Sequence, residues 1–229
     1  MLVRKKIILF LVIFCTGLCF FSCKHEDVPP LDVGYEYFPS NTGHWVLYQV
    51  DSTYYDDYTH QVKEYHFFMK EIIESTYLDN ENRPTQRIER YKQIDTLPFI
   101  LQDVWYSNLT SSTAEKVEEN IRYVKLQFPI NEGEIWNGNV FNNLDELNYK
   151  YENVYELYTV NGVTYNPTVT VIQKMVNYLT EESNMTEVYA KNIGLIYKKF
   201  KDVKKYPAPG LDSIIGGVDY TYKIISYGN

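Results

Sequence analysis

The sequence predicts a mainly β protein built on a single antiparallel, strongly curved sheet, and three features carry that expectation. Segments of about 6 to 12 residues rich in Tyr, Val, Ile and Trp recur from Trp45 to the end of the chain. Clusters of Asn, Asp, Glu and Gly punctuate them, among them Asn131-Glu132-Gly133, Asn137-Gly138-Asn139 and Asn161-Gly162, and Asn-Gly pairs supply the positive φ of tight hairpins. Few stretches hold a helical period. Strands joined by short turns pair antiparallel, because parallel neighbours need long crossovers. Twist and bulges decide whether such a sheet becomes an open or closed barrel-like wall or folds back as a β-sandwich, and one sequence leaves both open.

Taken in order, the first strand starts at Trp45, where Trp45, Leu47 and Gln49 alternate with Val46, Tyr48 and Val50, and it turns at Asp56-Asp57. Residues 62–73 return to complete a hairpin, and 79–84, Asp-Asn-Glu-Asn-Arg-Pro, form the loop before a third strand at 86–93. Further strands are expected at 100–107, 112–118, 121–128, 149–159, 168–176, 186–191, 194–200 and 219–227. Residues 142–148 suit one short helical turn, 174–184 is open between strand and helix, and 201–217 reads as a long surface loop.

Ahead of this domain stand Arg4, Lys5 and Lys6, an apolar run from Ile7 to Phe21 and the small residue Ser22, the plan of a signal peptide. The run is about fifteen residues, short of the roughly twenty that span a bilayer as a helix. Leu18-Cys19-Phe20-Phe21-Ser22-Cys23 resembles the lipobox of bacterial lipoproteins, in which the last cysteine takes a diacylglycerol and becomes the new N-terminus. The resemblance implies a membrane partner held through lipid on Cys23, and two or more acyl chains give stable attachment where one is marginal. The chain thus divides into a signal peptide at 1–22, a lipidated tether at 23–34 stiffened by Pro29-Pro30, and one β domain at 35–229. Lys24-His25-Glu26-Asp27 resembles the acidic export signal of Bacteroides-type lipoproteins, which implies an outer-membrane location with the surface or the periplasm as the facing side.

Without residues 1–22 the chain keeps 19 of its 22 Lys and Arg against all 30 Asp and Glu, a net charge of −11. That balance argues against nucleic acid, whose phosphates need basic patches. Cys15, Cys19 and Cys23 all precede the domain, so it has no thiol for a disulfide, a thiolate metal site or a nucleophile. Its stability must come from its core, for which about two hundred residues suffice. The 23 tyrosines suit half-exposed sheet faces, where the ring packs and the hydroxyl meets water.

Tyr37-Phe38-Pro39 with Gly43-His44-Trp45-Val46-Leu47-Tyr48 resembles the opening of uncharacterised lipoproteins of Bacteroides-type bacteria. Asn120-Ile121-Arg122, Leu126-Gln127-Phe128-Pro129, Trp136-Asn137-Gly138-Asn139 and Tyr189 to Tyr197 continue the likeness along the domain. These are structural motifs, so the resemblance implies a location and no activity. Asp51-Ser52-Thr53, Asp95-Thr96-Leu97 and Asp212-Ser213-Ile214 resemble the O-glycosylation signal of the same bacteria, making Ser52, Thr96 and Ser213 candidate glycan sites.

Chemistry-bearing patterns are sparse. His60 and His66 stand roughly 20 Å apart along an extended chain, too far to share an ion, and Asp79-Asn80-Glu81-Asn82 lacks the spacing of a calcium loop. No metal or other cofactor is therefore expected. Asp56-Asp57, Glu118-Glu119 and Glu181-Glu182 are adjacent pairs, which in a strand point to opposite faces. No Gly-x-Ser-x-Gly elbow, phosphate loop or zinc-protease helix motif occurs, so no catalytic residue is assigned. Trp45, Trp105 and Trp136 are candidates for an aromatic ligand face, although filling the core is the plainer role. The expected function is a non-enzymatic binding or interaction module for a glycan, a lipid or an envelope protein. A carbohydrate-active or other hydrolytic protein and a structural envelope component are the alternatives.

Overall fold

A computed structural model describes residues 32–207 and 213–229; the lipobox, Cys23, the tether up to residue 31 and Asp212 lie outside them. All twelve strands and both cores fall within Val33–Asn229, a compact unit with its own apolar interior. After a 3-10 turn at Tyr35–Tyr37 come β1 (Trp45–Tyr55), β2 (Val62–Leu78), β3 (Pro84–Gln93), β4 (Ile100–Leu109), β5 (Thr113–Glu118) and β6 (Ile121–Gln127). The chain continues through β7 (Ile135–Asn137), β8 (Asn148–Val160), β9 (Val163–Asn177), β10 (Glu181–Ala190), β11 (Gly194–Lys205) and β12 (Ile214–Gly228).

The strands form one antiparallel sheet in the order β6-β5-β4-β3-β2-β1-β12-β11-β10-β9-β8-β7. It curls into a nearly closed barrel whose unsealed seam lies between β6 and β7. Pairing of β1 with β12 joins two meanders, and its register, Trp45 opposite Gly228 and Tyr55 opposite Gly217, spans the length of β1. The barrel form thus prevails over the sandwich.

Several local expectations change. Residues 142–148 form no helical turn, because side-chain amides compete for the backbone: Asn139 Nδ2 donates to the Asp145 carbonyl and Asn142 Nδ2 to that of Arg122. Residues 174–184 resolve as the end of β9, a short turn and the start of β10. Much of 201–217 is strand, since β11 and β12 extend to a pairing of Lys205 with Ile214. The lysines there find partners across strands, Lys201 on Glu182 at 2.6 Å and Lys205 on Asn177 at 2.6 Å. Glycine is demanded at 217 because a Cβ would stand 2.3 Å from the Asp202 carbonyl oxygen.

Of the two Asn-Gly pairs, Asn161-Gly162 is the tight hairpin turn, with φ of 49° and 78° between the paired Val160 and Val163. Asn137-Gly138 is not: Gly138 lacks a positive φ and instead leaves room for the Tyr149 ring, which an added Cβ would meet at 2.4 Å. An unpredicted short strand, β7, precedes it. No atom lies within 4 Å of a Cβ built on Gly162, so Gly162→Ala carries only the backbone penalty of the left-handed region. A loss of about 1–2 kcal/mol is expected, read as a lower urea midpoint at unchanged slope.

Two apolar clusters lie within the barrel. One gathers Tyr37, Leu126, Trp136, Tyr149, Tyr151 and Val171 near the seam, and the other gathers Val46, Tyr48, Val50, Val188, Ile196 and Ile224 beneath β1 and β12. At the seam, side chains replace ladder bonds. The Tyr151 hydroxyl accepts from the Gln127 N–H and donates to the Gln127 carbonyl, each at 2.8 Å. Trp136 Nε1 donates to the Val124 carbonyl at 3.0 Å, and the Val124 N–H reaches the Gly138 carbonyl at 2.9 Å.

Candidate functional site

Inside the barrel lies a cavity of about 650 Å³. Its floor, at the end where β1 begins, is made by the buried Phe38, His44 and Ile193. His44 is held there by its ring nitrogens, Nδ1 at 2.8 Å from Asn229 Oδ1 and Nε2 at 3.0 Å from the Ile193 carbonyl. At the opposite end the lining includes the exposed Glu119 and Leu144, so the cavity meets solvent there. The strand connections at that end of the sheet carry exposed apolar side chains, among them Tyr58, Leu97, Phe99, Phe141 and Leu179.

The walls are of two kinds. Val46, Tyr48, Ile73, Ile88, Met185 and Leu195 provide an apolar surface. Against it runs a belt of ions: Glu71, Glu118, Glu119 and Glu187 with Arg90, Lys116, Lys125 and Lys198, four of each sign. Sheet register brings several face to face, since Glu71 is opposite Arg90 across β2 and β3 and Glu187 opposite Lys198 across β10 and β11. Glu71 takes Arg90 Nε at 2.9 Å and Lys116 Nζ at 2.8 Å. Lys125 bridges Glu187 at 2.7 Å and Glu118 at 3.4 Å, and Lys198 stands 3.2 Å from Glu187 and 3.7 Å from Glu118. Glu119 accepts from Trp105 Nε1 at 3.2 Å, and the Trp105 ring lies under the Arg90 guanidinium at 3.5 Å.

Lys125 faces the interior in step with Ile121 and Tyr123 and sits at a bulge. The pairing of β5 and β6 slips between Ala114 and Glu115, which leaves Lys125 as the extra residue on β6 beside the buried Leu126. Gln173 follows Val169 and Val171 on the inward face of β9 and lines the cavity. The register of β9 and β10 shifts between Met185 and Thr186, which leaves Gln173 without a partner across the ladder.

Burial would raise the three enclosed carboxyls, yet the cations beside them prevail. Lys116 and Arg90 hold Glu71 down to about 2, Lys125 and Lys198 hold Glu118 well below the ordinary glutamate range, and the same two lysines lower Glu187. Burial lowers Lys125 and Lys198, but the glutamates around them keep both above the usual lysine value. Because the folded pKa of each carboxyl lies below its unfolded value, the stability they confer is present above the ordinary glutamate pKa near 4.5 and lost as pH falls through the folded one. Unfolding free energy is therefore expected to decline between about pH 4.5 and 2, and Glu71→Gln to flatten that decline. Urea midpoints at pH 6, 4 and 2.5 measure it.

The residues singled out in the sequence are scattered. Trp105 lines the cavity, Trp136 is buried against Tyr149 and Tyr151, and Trp45 lies beneath Lys70 and touches Gly228, so the three share no face. Thr96 and Ser213 are exposed, whereas Ser52 is half-buried and paired with Tyr220, a cavity residue. Asp79 is consumed by its own turn, accepting from the Glu81 and Arg83 N–H groups. Sequence reasoning missed the ion belt and Gln173. The only trace of the belt was the recurrence of Lys and Glu inside strands, which equally describes a solvated face.

Compared with known proteins, the chain matches no family model and no curated protein. Among solved structures it is similar to a Bacteroides fragilis protein described as exported, with a YmcC-like fold, at 8% identity and a TM-score of 0.46, covering 84% of this chain and 98% of that one. It is also similar to a Parabacteroides distasonis protein described as a lipoprotein, at 8% identity and a TM-score of 0.40 with the same coverage.

Proposed function

We propose that this chain is an outer-membrane lipoprotein, anchored through Cys23, whose barrel binds a small molecule in its interior and catalyses no reaction. The observation that carries the reading is the cavity: about 650 Å³, floored at one end and open at the other, with an apolar wall facing a belt of paired ions, within the size range of small-molecule sites. The anchor rests on the lipobox and the −11 balance that leaves membrane and small molecule, not nucleic acid, as partners. Hydrolysis is the second reading, because Glu118 and Glu187 face one cavity and share Lys125. A glycosidase needs one carboxyl kept protonated, and here the enclosed carboxyls are all lowered.

Native mass spectrometry of the protein extracted from its own envelope tests this. A small-molecule adduct lost on denaturation, above a polypeptide bearing the acyl mass on Cys23, is the expected result. Repeated recovery of an empty barrel would remove the binding reading, and an unacylated N-terminus would remove the anchor.

A further inference from the structure

We infer that the cavity's ligand is a neutral single-chain amphiphile, an apolar tail ending in an uncharged head whose acceptor oxygen takes the Gln173 amide. This rests on reading the cavity as a binding site and deepens it. The argument starts from what the lining leaves unmatched. Each of the eight charged groups has a partner in place: seven lie within 4 Å of an opposite charge and Glu119 holds the Trp105 N–H. An ionic head entering this belt would have to displace a partner and leave an enclosed charge uncompensated. A neutral head disturbs no pair.

Gln173 is different. Its side chain is 6% exposed, it lines the cavity, and its Nε2 has no hydrogen-bond partner among the described residues. Buried donors are almost always satisfied, so an unmatched one in a cavity wall points to an acceptor that arrives with the ligand. The terminal amide torsion is broad and lets the NH2 swing toward the cavity. Around it are apolar and aromatic surfaces, Met185 on β10 and Tyr149 on β8. One such donor suits a head with one or two oxygens. A sugar, with a hydroxyl on most of its carbons, would have to take its bonds from belt groups that already hold partners. Leu144, exposed where the cavity opens, offers a tail an apolar contact on the way inward.

The test uses the unacylated chain from Lys24 and three probes below their micellar concentrations at pH 7.5: 1-monolauroylglycerol, laurate and dodecyltrimethylammonium, titrated calorimetrically. Monolauroylglycerol is expected to bind at least tenfold more tightly than either ion. Gln173→Leu should weaken it about tenfold without lowering the melting temperature, since that variant removes an unmatched donor. Equal or tighter binding of either ion overturns the inference, as does an unchanged affinity in Gln173→Leu, which would mean that water alone serves the amide. If none of the probes binds while the extracted protein carries an adduct, this ligand class is wrong and the binding reading stands; an empty extracted protein as well would remove both.

Discussion

Lys125→Met is expected to lower the unfolding free energy by about 3–5 kcal/mol, the cost of breaking a buried ion cluster from one side. The Lys125 side chain is 5% exposed and Glu187 beside it 1%. Methionine keeps most of the volume, so a lost contact surface is not the source of the effect. What remains is Glu118 and Glu187, enclosed and like-charged, with Lys198 alone between them. Adding Glu187→Leu should recover part of the loss, because removing both partners is far cheaper than orphaning one. The exposed pair Lys150 and Glu152 supplies the control, and Lys150→Met should cost less than about 1 kcal/mol. Urea titration followed by tryptophan fluorescence reads all three; a loss under about 1 kcal/mol for Lys125→Met would mean that water reaches the cluster.

Trp136→Ala should cost as much, about 3–5 kcal/mol, for a different reason. Trp136 is 4% exposed and packs its ring 4.4 Å from that of Tyr151 and 5.9 Å from that of Tyr149. It also joins the two sheet edges, because its Nε1 serves the Val124 carbonyl across the seam. Trp136→Phe keeps most of the packing and loses that bond, so it should cost about 1–3 kcal/mol. The Val124 amide, which donates to Gly138 across the same gap, should then exchange its hydrogen faster than amides in β1. Unchanged protection of Val124 would show that the seam is held by Tyr151 and Gln127 instead.

Most of the strands were legible because local pattern suffices for them. Val46, Tyr48 and Val50 alternate with outward neighbours, and Asn161-Gly162 has the positive φ that its turn requires. Where the reading failed, residues answered to distant partners. Gly138 yields to the Tyr149 ring rather than making a turn, Gly217 to the Asp202 backbone, and the lysines of 201–205 to acids and amides on neighbouring strands. The three tryptophans looked alike in sequence, yet only Trp105 reaches the cavity.

The sequence by itself determined the alternation, the turn chemistry, the acidic balance and the absence of thiols from the domain, since each depends on residues near one another or on counts. Only the tertiary structure decided that the sheet curls into a barrel and which polar groups face inward. Alternation along β6 and β9 groups Lys125 with Ile121 and Tyr123 and Gln173 with Val169 and Val171, but only the closed sheet decided that these faces turn inward. The register slips that leave Lys125 and Gln173 without a partner across the ladder exist only relative to the neighbouring strand. The cavity's chemistry follows from paired charges as far apart in sequence as Glu118 and Lys198, which meet only once the sheet has closed on itself.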